Sequence, residues 1–229
     1  MRHSGKARRA GLKILFISLV MALVLGAIGT LISHTAGFSP AVLICPIAVV
    51  WTAFAIFTLN FFRDPDPRVP SGANFVVSPA HGKVDVIGTT TEPEFMGGSC
   101  HRISIFLSVI DVHVQNAPVT GKIAFYKYST GQFLSALKAE SAIHNENLLL
   151  GFEASEPRGK KVGVRVLAGV LARRIVPWAQ QGEEVARGER ISLVQFGSRA
   201  DVYLPPEAKI KVQLSDRVVG GETVLATFE

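Results

Sequence analysis

The chain has 229 residues, of which 48% are hydrophobic and only 18% charged, with a mean hydropathy of +0.32. This profile excludes a disordered or collagen-like chain, and the charged fraction is below the roughly 25% of a typical soluble domain. The net charge of +6 lies mostly in residues 1–62, which contain five Lys and Arg and no Asp or Glu. Because this basic excess borders apolar sequence, it is typical of a signal that sets the orientation of a membrane segment. No nucleic-acid partner is expected.

Two uncharged apolar stretches follow the basic arm, at residues 14–32 and 41–62. The first would form a helix about 29 Å long, close to the roughly 30 Å hydrocarbon core of a bilayer. Pro46 is expected to kink the second helix or to begin it. The connection between them has no Lys or Arg, so the positive-inside rule places both ends of a membrane hairpin in the cytoplasm. A cleaved signal peptide and a hairpin that enters only one leaflet are the alternatives.

Residues 63–229 show a pattern typical of β-structure. A proline-punctuated linker at 63–70 cannot continue a helix. Short runs of β-branched and aromatic residues then alternate with Gly, Pro and Asn, which predicts a mainly β domain, a barrel or sandwich built from hairpins. The predicted strands are 83–87, 102–106, 109–114, 122–128, 147–152, 162–167, 191–196, 201–204, 209–212 and 223–228, and the only helical candidates are 132–140 and 170–180.

Two pairs of short segments repeat within this β-rich part. Residues 79–84 resemble 118–123, and residues 185–189 resemble 218–222. Each segment predicts a glycine turn that leads into a strand. The second pair also looks like the turns of biotinyl/lipoyl-type barrels, so we expect such elements in the β domain.

Two segments hold residues that could carry chemistry. Gly197-Ser198 follows the apolar run 191–196, which places a hydroxyl on a tight turn at a strand end. Asp111 and His113 would face the same side of a strand, so the carboxylate could pair with the imidazole and tune it. Each segment alone also fits an ordinary turn or a polar pair on a sheet face. The chain has no HExxH motif and no histidine pair at ligand spacing, so no metal site is predicted.

The combination and order of motifs along the chain favour a specific interpretation. FFRDPDP at 61–67, VSPAHGKV at 77–84, DVHVQNAP at 111–118, AGVLARRIV at 168–176, GER at 188–190 and FGSRADVYLP at 196–205 resemble, in this order, the phosphatidylserine decarboxylases. The best match is the short form found in many bacteria and archaea. The resemblance runs from about residue 61 to the C-terminus, and a hydrophobic N-terminal anchor is also usual in that family.

This resemblance implies a proenzyme that cuts its own chain between Gly197 and Ser198. The Ser198 hydroxyl would attack the preceding carbonyl, and elimination from the resulting ester would convert Ser198 into a pyruvoyl cofactor. A β chain, 1–197, and an α chain, 198–229, would result, with residues 1–62 as the anchor and 63–229 as the decarboxylase domain. The pyruvoyl group would form a Schiff base with phosphatidylserine and act as an electron sink when CO2 leaves, which gives phosphatidylethanolamine. His113 matches the acid that protonates the carbanion.

One position departs from the family pattern. The family usually reads Ser-Pro-Ala-Asp-Gly, where the Asp orients a histidine and helps to activate the serine, but this chain has His81 there. An imidazole cannot stabilise an imidazolium as a carboxylate does. Either His81 is itself the base that activates Ser198, or Asp111 takes over the orienting role. Asn116 stands where longer family members have a second histidine.

The sequence therefore predicts a phosphatidylserine decarboxylase proenzyme in the cell (inner) membrane, with its catalytic domain on the cytoplasmic side. Its expected partners are phosphatidylserine and the α and β chains of the same precursor, and a homo-oligomer is compatible with the pattern. Two alternatives remain. One is a non-catalytic, membrane-anchored barrel module that no longer matures, which the His81 substitution would explain. The other is a membrane-anchored serine hydrolase that uses Ser198 and His113.

Overall fold

The computed structural model describes residues 2–131, 145–169, 174–195 and 198–229. The chain divides into two compact units. One is Gly5–Asp64, and the other is Pro65–Glu229 together with the first residues of the chain. The first unit is helical and the second is mainly β, so the predicted fold class, a mainly β protein with an N-terminal pair of apolar helices, is confirmed.

The helical unit consists of α1, Lys6–Ala36, and α2, Ala41–Phe61. Both helices are long and apolar enough to cross a membrane. Helix α1 starts eight residues before the predicted apolar stretch, so the basic residues of the arm from Lys6 onward lie on its first turns, where long side chains can reach a polar interface. Helix α2 begins at Ala41 and continues through Pro46, so the alternative in which Pro46 begins the helix is wrong.

Small residues bring the two helices close together. A Cβ added at Gly11 would lie 2.7 Å from Phe62 Cβ, and one added at Gly29 would lie 3.3 Å from Leu43 Cβ. Trp51 also donates a hydrogen bond from Nε1 to a hydroxyl on α1, at 3.2 Å. Close packing of small residues and interhelical hydrogen bonds are what stabilise helix pairs in lipid, where no hydrophobic effect favours association.

The described residues of the β unit form fourteen strands in three sheets. Two sheets have three strands, in the orders β1-β14-β12 and β4-β10-β8, and the third has eight, in the order β13-β2-β3-β11-β7-β6-β5-β9. The strands are β1 Phe75–Val77, β2 Gly82–Glu92, β3 Gly98–Leu107, β4 Val114–Asn116, β5 Thr120–Ser129, β6 Asn147–Glu156, β7 Arg158–Ala168, β8 Arg174–Pro177, β9 Glu184–Val185, β10 Arg190–Gln195, β11 Ser198–Leu204, β12 Lys209–Ile210, β13 Arg217–Val218 and β14 Val224–Thr227.

The eight-stranded sheet has the same arrangement when read from either edge. From each side come a two-residue strand, a long hairpin and one of the two central strands, β11 or β7. Gly82 and Gly121 occupy equivalent places near the starts of β2 and β5. A Cβ added at either glycine would lie 2.2 Å from a carbonyl oxygen of the neighbouring strand, at Phe106 or Glu153 respectively. In both members of the first pair of sequence repeats, a glycine therefore lets the main chain lie close to a carbonyl oxygen of the neighbouring strand.

The second pair of repeats also forms equivalent turns. Gly188 and Gly221 have φ values of +79° and +75°, a conformation that favours glycine. Their N–H groups donate to the carbonyl oxygens of Ala117 and Ser78, at 2.8 and 2.7 Å. A Cβ added at Gly221 would lie 3.4 Å from the Gly188 Cα, so the two turns are adjacent. The sequence repeats therefore mark an internal structural repeat.

Two secondary-structure predictions are wrong, and one lies outside the described residues. Residues 109–113 form a turn instead of a strand, and only Val114 of that prediction belongs to β4. Residues 174–177 of the second helical candidate form β8, because they pair with β10 and Ile175 is buried in the core. Tertiary pairing overrides helix propensity there. The helical candidate at 132–140 lies outside the described residues.

Candidate active site

Ser198 is the first residue of β11, one of the two central strands of the eight-stranded sheet. It lies opposite Leu107 of β3 and Ala168 of β7, so strands on both sides hold the chain that follows it. Its side chain is buried, and Oγ has no hydrogen-bond partner among the described residues. A buried hydroxyl without a partner costs about 1–3 kcal/mol. Such a cost calls for an explanation, and a chemical role is one.

The chain changes sheets immediately before Ser198. Strand β10 ends at Gln195 in the sheet β4-β10-β8, and β11 begins at Ser198 in the eight-stranded sheet. The predicted scissile bond, Gly197–Ser198, lies in this crossing, although Gly197 itself lies outside the described residues. Because β10 and β11 each pair with two neighbours of their own, a cut here leaves both strands held in place.

His113 lies beside the strand that leads to Ser198. The side chain is completely buried. Its main-chain carbonyl oxygen accepts hydrogen bonds from the Val194 N–H, at 3.1 Å, and from Gln115 Nε2, at 2.8 Å. The Gln115 side chain in turn accepts a hydrogen bond from Ser192 Oγ at 2.8 Å. Contacts to β10 thus fix His113 next to a residue that lies only four positions before Ser198.

Asp111 and His113 are in contact, but not as the sequence pattern predicts. They lie in a turn, where the Asp111 N–H donates to the Ser108 carbonyl oxygen at 2.9 Å. His113 Nδ1 lies 2.9 Å from the main-chain oxygen of Asp111. The Asp111 carboxylate instead accepts hydrogen bonds from the Ser108 N–H and Oγ, at 2.9 and 2.8 Å, and from Arg217 Nη1 at 2.9 Å. The predicted pairing of carboxylate and imidazole is therefore wrong.

The surroundings of Asp111 favour its charged form. Burial raises the pKa of this carboxyl, but the hydrogen bonds from Ser108 and the positive charge of Arg217 outweigh burial, so the pKa lies below its ordinary value. Asp111 is thus an anion that closes the turn before His113 and joins it to the turn before β13.

His81 lies at the same end of the sheet as Ser198, with one strand between them. His81 immediately precedes β2, where Lys83 pairs with Phe106 near the end of β3. Ser198 pairs with Leu107, the last residue of β3, from the other side. Since strands two positions apart in a sheet are separated by about 10 Å, the main chains at His81 and Ser198 are not in direct contact.

His81 and Asn116 line the same glycine. A Cβ added at Gly220 would lie 2.9 Å from Asn116 Oδ1 and 3.0 Å from His81 Cδ2. Asn116 Nδ2 also donates to the Gly188 carbonyl oxygen at 2.8 Å. His81, where the sequence departs from the family pattern, and Asn116, where longer family members have a second histidine, are therefore neighbours.

Comparison with known proteins identifies a family. Residues 54–226 match the sequence model of the family described as phosphatidylserine decarboxylase. The phosphatidylserine decarboxylase proenzyme of Desulfotalea psychrophila is 42% identical over 74% of this chain and 78% of the relative. The proenzymes of Symbiobacterium thermophilum and Syntrophus aciditrophicus are 41% and 40% identical over 78% and 80% of this chain, and over 82% and 84% of their own lengths.

The chain belongs to the phosphatidylserine decarboxylase family. The family resemblance inferred from the order of motifs is therefore confirmed. The roles assigned to Ser198, His113, His81, Asp111 and Gly197 stay predictions.

The structure also places charged residues next to Ser198 that the sequence motifs do not identify. Arg199 forms an ion pair with Asp85 of β2 on the face of β11 opposite the core. Two positions further, Asp201 is 2% exposed on the same face, and burial raises its pKa against the lowering effects of Ser104 and Arg199. The alternation of polar with small or aliphatic residues in Ser198–Leu204 was the available signal, because alternate residues of a strand face opposite sides.

Proposed function

We propose that this chain is the precursor of a pyruvoyl-dependent enzyme that decarboxylates phosphatidylserine to phosphatidylethanolamine. Its relatives are named as phosphatidylserine decarboxylases, and each is named as a proenzyme. The observation that carries the proposal is the buried Ser198 hydroxyl without a hydrogen-bond partner among the described residues, at the point where the chain changes sheets.

The proposed maturation needs Ser198, the bond before it, a base and water. Ser198 Oγ attacks the Gly197 carbonyl carbon, its proton passes to a base, and the C–N bond breaks, which leaves an ester and a free amine on Ser198. Loss of the Ser198 α-proton then expels the ester oxygen with Gly197 as a carboxylate. Water adds to the resulting unsaturated residue, its nitrogen leaves as ammonia, and a ketone remains at the former Ser198 Cα.

The start of β11 fits such a pyruvoyl group. The group keeps the three carbons of Ser198 and its amide link to Arg199, so the pairing of β11 with β3 and β7 from Arg199 onward need not change. Neighbouring residues, among them Leu107 and Ala168, keep this position buried. When present, the pyruvoyl ketone provides an electrophile for the substrate amine and an electron sink for decarboxylation.

We assign the protonation of the substrate carbon to His113. Its Nδ1 faces a carbonyl oxygen, which can only accept, so Nδ1 carries a hydrogen and Nε2 is the atom that gains and delivers a proton. The Asp111 turn and the contacts to β10 fix the main chain that carries the ring. A positioned acid or base of this kind is worth about 10²–10⁴ in rate.

The two apolar helices support a membrane-anchored enzyme. The basic arm and Arg63 flank them on one side, so the positive-inside rule places the β unit in the cytoplasm. Anchoring suits a substrate that stays dissolved in the bilayer.

Intact-mass analysis of the purified full chain tests this proposal. We expect two chains, 1–197 and 198–229, with the smaller one blocked at its N-terminus and reducible by borohydride. Ser198→Ala should stay uncut, whereas the matched change Ser104→Ala, at another buried serine of the same sheet, should still be cut. A single full-length chain after long incubation would contradict the proposal and favour a module that does not mature. Labelling of Ser198 by a serine-directed probe would instead favour a hydrolase.

A further inference from the structure

The exposed large hydrophobic residues of the β unit lie around one end of the eight-stranded sheet. Among the described residues from Pro65 onward they are Ile110, Leu214 and Val219, with 60%, 60% and 38% of their surface exposed. Scattered exposed aliphatic residues need no explanation. Their confinement to one region is informative, because a continuous apolar patch marks an interaction surface.

Two of these residues lie on turns that an ion pair joins. Ile110 lies in the turn that Ser108 and Asp111 close. The buried His113 follows it three positions later. Leu214 lies in a turn closed by the hydrogen bond from the Gln213 N–H to Asp216 Oδ2, at 2.8 Å. Arg217 Nη1, three positions after Leu214, lies 2.9 Å from Asp111 Oδ1. The two exposed tips are thus tied to each other next to the candidate acid.

The third residue, Val219, borders the same site. It precedes Gly220, which His81 and Asn116 both line. All three exposed aliphatic residues therefore lie within three positions of a residue that contacts or forms the candidate active site: Asp111 for Ile110, Arg217 for Leu214 and Gly220 for Val219.

The charges around these turns are mostly positive. Lys83, Lys211 and Arg217 are exposed, and Lys83 pairs with Arg217 between β2 and β13. The one exposed carboxylate within these turns is Asp216, while Asp111 is buried against Arg217. Aliphatic tips with a basic rim are typical of surfaces that lie in the interface of an anionic bilayer.

The opposite end of the sheet has a different surface. Strand β7 begins at Arg158 and ends at Ala168, opposite Ser198, so the β6–β7 turn lies about 33 Å from the site. A surface depression near that turn is lined by charged residues of both signs, among them Lys122, Glu153, Arg158 and Lys161. This contrast gives the β unit one end suited to lipid and one suited to water.

We propose that the turns carrying Ile110 and Leu214 insert into the headgroup region of an anionic phospholipid bilayer. They would hold the end of the sheet that carries the candidate active site against the membrane surface. This inference rests on the proposed function, because a substrate that stays in the bilayer must reach His113 and Ser198 without crossing water. The helices hold the chain in the membrane, and these turns set which face of the β unit meets the lipid. A docked protein is the less favoured occupant, because two separate tips offer little area for a protein interface.

A fluorescent probe on the full chain tests this docking without any need for activity. Cys45→Ser removes the exposed cysteine, and Cys100 is buried. Single cysteines at Ile110→Cys, Leu214→Cys and, as the matched control, Ser155→Cys at the far turn would be labelled with an environment-sensitive dye. The chain would then be placed in vesicles of phosphatidylcholine and phosphatidylglycerol that carry a lipid-bound quencher.

We expect the probes at 110 and 214 to shift to shorter wavelength and to lose at least about half of their emission to the quencher, while the probe at 155 stays in water. Equal, water-like emission at all three positions would overturn the proposal. Blue-shifted emission at 110 and 214 that the lipid quencher does not reduce would point to a protein partner and would also overturn it. The result is readable even in a chain that is never cut, so it is separable from the proposed function.

Kinetics provide a second test in the cleaved enzyme. The double variant Ile110→Ser/Leu214→Ser should raise KM for phosphatidylserine in vesicles about tenfold, the change expected from losing about 1.4 kcal/mol of interfacial binding. Its kcat, and its kcat/KM for a monomeric short-chain phosphatidylserine, should stay within about twofold. An equal loss on both substrates would mean that these residues act on the site itself and not on the membrane.

Discussion

His113 Nδ1 lies 2.9 Å from the main-chain oxygen of Asp111, whereas the Asp111 carboxylate is bound to Ser108 and Arg217. Since a carbonyl oxygen can only accept, this contact selects the tautomer with the hydrogen on Nδ1. The lone pair of the neutral ring is then on Nε2. The backbone orients the imidazole, and the carboxylate fixes the backbone, so Asp111 acts on His113 through the turn.

Replacement of the Asp111 carboxylate should weaken the fold by an amount that is constant near neutral pH. Asp111→Asn loses the ion pair with Arg217 and weakens the bonds from Ser108, which corresponds to about 1–3 kcal/mol for hydrogen bonds to a charged group. Because the native pKa is lowered, this stabilisation is complete above the unfolded pKa of about 4 and is lost as pH falls through the lower native value. Unfolding in detergent, followed from pH 3 to 8, measures the difference.

The matched control is Glu207→Gln, which removes a more exposed ion pair with Lys160. It should change the unfolding free energy by no more than about 0.5 kcal/mol. If the difference between wild type and Asp111→Asn grows between pH 5 and 8, a group other than Asp111 controls this turn.

Much of the β fold was predictable because its long strands alternate in polarity or form apolar runs. Seven strands of five or more residues were located, although several are longer than predicted. The short strands β1, β9 and β13 were missed, since two or three residues carry no periodic signal and exist only through their partners. The alternating sequence before His113 predicts a strand. The residues form a turn instead, and one hydrogen bond that holds this turn, from Arg217 to Asp111, joins residues 106 positions apart.

The candidate site was partly predictable for a different reason. Motif order pointed to Ser198 and His113, and the structure places both beside the end of β10. The ion pair of Arg199 with Asp85 joins residues 114 positions apart, so no local pattern identifies it. The hydrogen bond from His113 to the main-chain oxygen of Asp111 could not be predicted from the sequence either, because it depends on backbone geometry and not on a residue type.

Loss of the imidazole should abolish most turnover without preventing folding. In protein that has been cut, His113→Gln should lower decarboxylation about 10²–10⁴-fold, because the amide cannot donate a proton at neutral pH. His101→Gln is the control, since that partly exposed ring lies toward the far end of β3, where its Nε2 is 3.1 Å from the Pro206 carbonyl oxygen. Release of CO2 per cleaved chain gives the rate, and an unchanged rate in His113→Gln would remove His113 from the mechanism.

The ion pair of Arg199 with Asp85 should matter for maturation. Arg199 follows the residue that attacks, and its side chain is 10% exposed, so the pair fixes the start of strand β11. Asp85→Asn should slow cleavage about tenfold or more, because small errors in the placement of reacting groups cost up to about 10² in rate. Arg199→Lys keeps the charge but loses the planar fork, so an intermediate rate is expected.

A time course of chain cleavage measures the effect of this pair, with Glu207→Gln as the control for an exposed pair. The double variant Asp85→Asn/Arg199→Lys should be slowed less than the product of the single effects, since the two residues act as one unit. Strictly multiplicative effects would show that the two residues influence Ser198 separately.

His81 is the position where two accounts of maturation give opposite results. It lies beside Asn116, and strand β3 lies between it and Ser198. If self-cleavage needs an orienting carboxylate at this place, His81→Asp should speed cleavage and leave the turnover of mature enzyme nearly unchanged, because a carboxylate both fixes a tautomer and stabilises an imidazolium. If His81 is instead the base for Ser198, His81→Asp should slow cleavage, and wild-type cleavage should slow below the unperturbed imidazole pKa of about 6.5. Cleavage of wild type, His81→Asp and His81→Ala, followed from pH 5 to 8, separates these outcomes. Equal rates in all three proteins at every pH would contradict both accounts and leave Asp111, which holds the His113 turn, as the next residue to test.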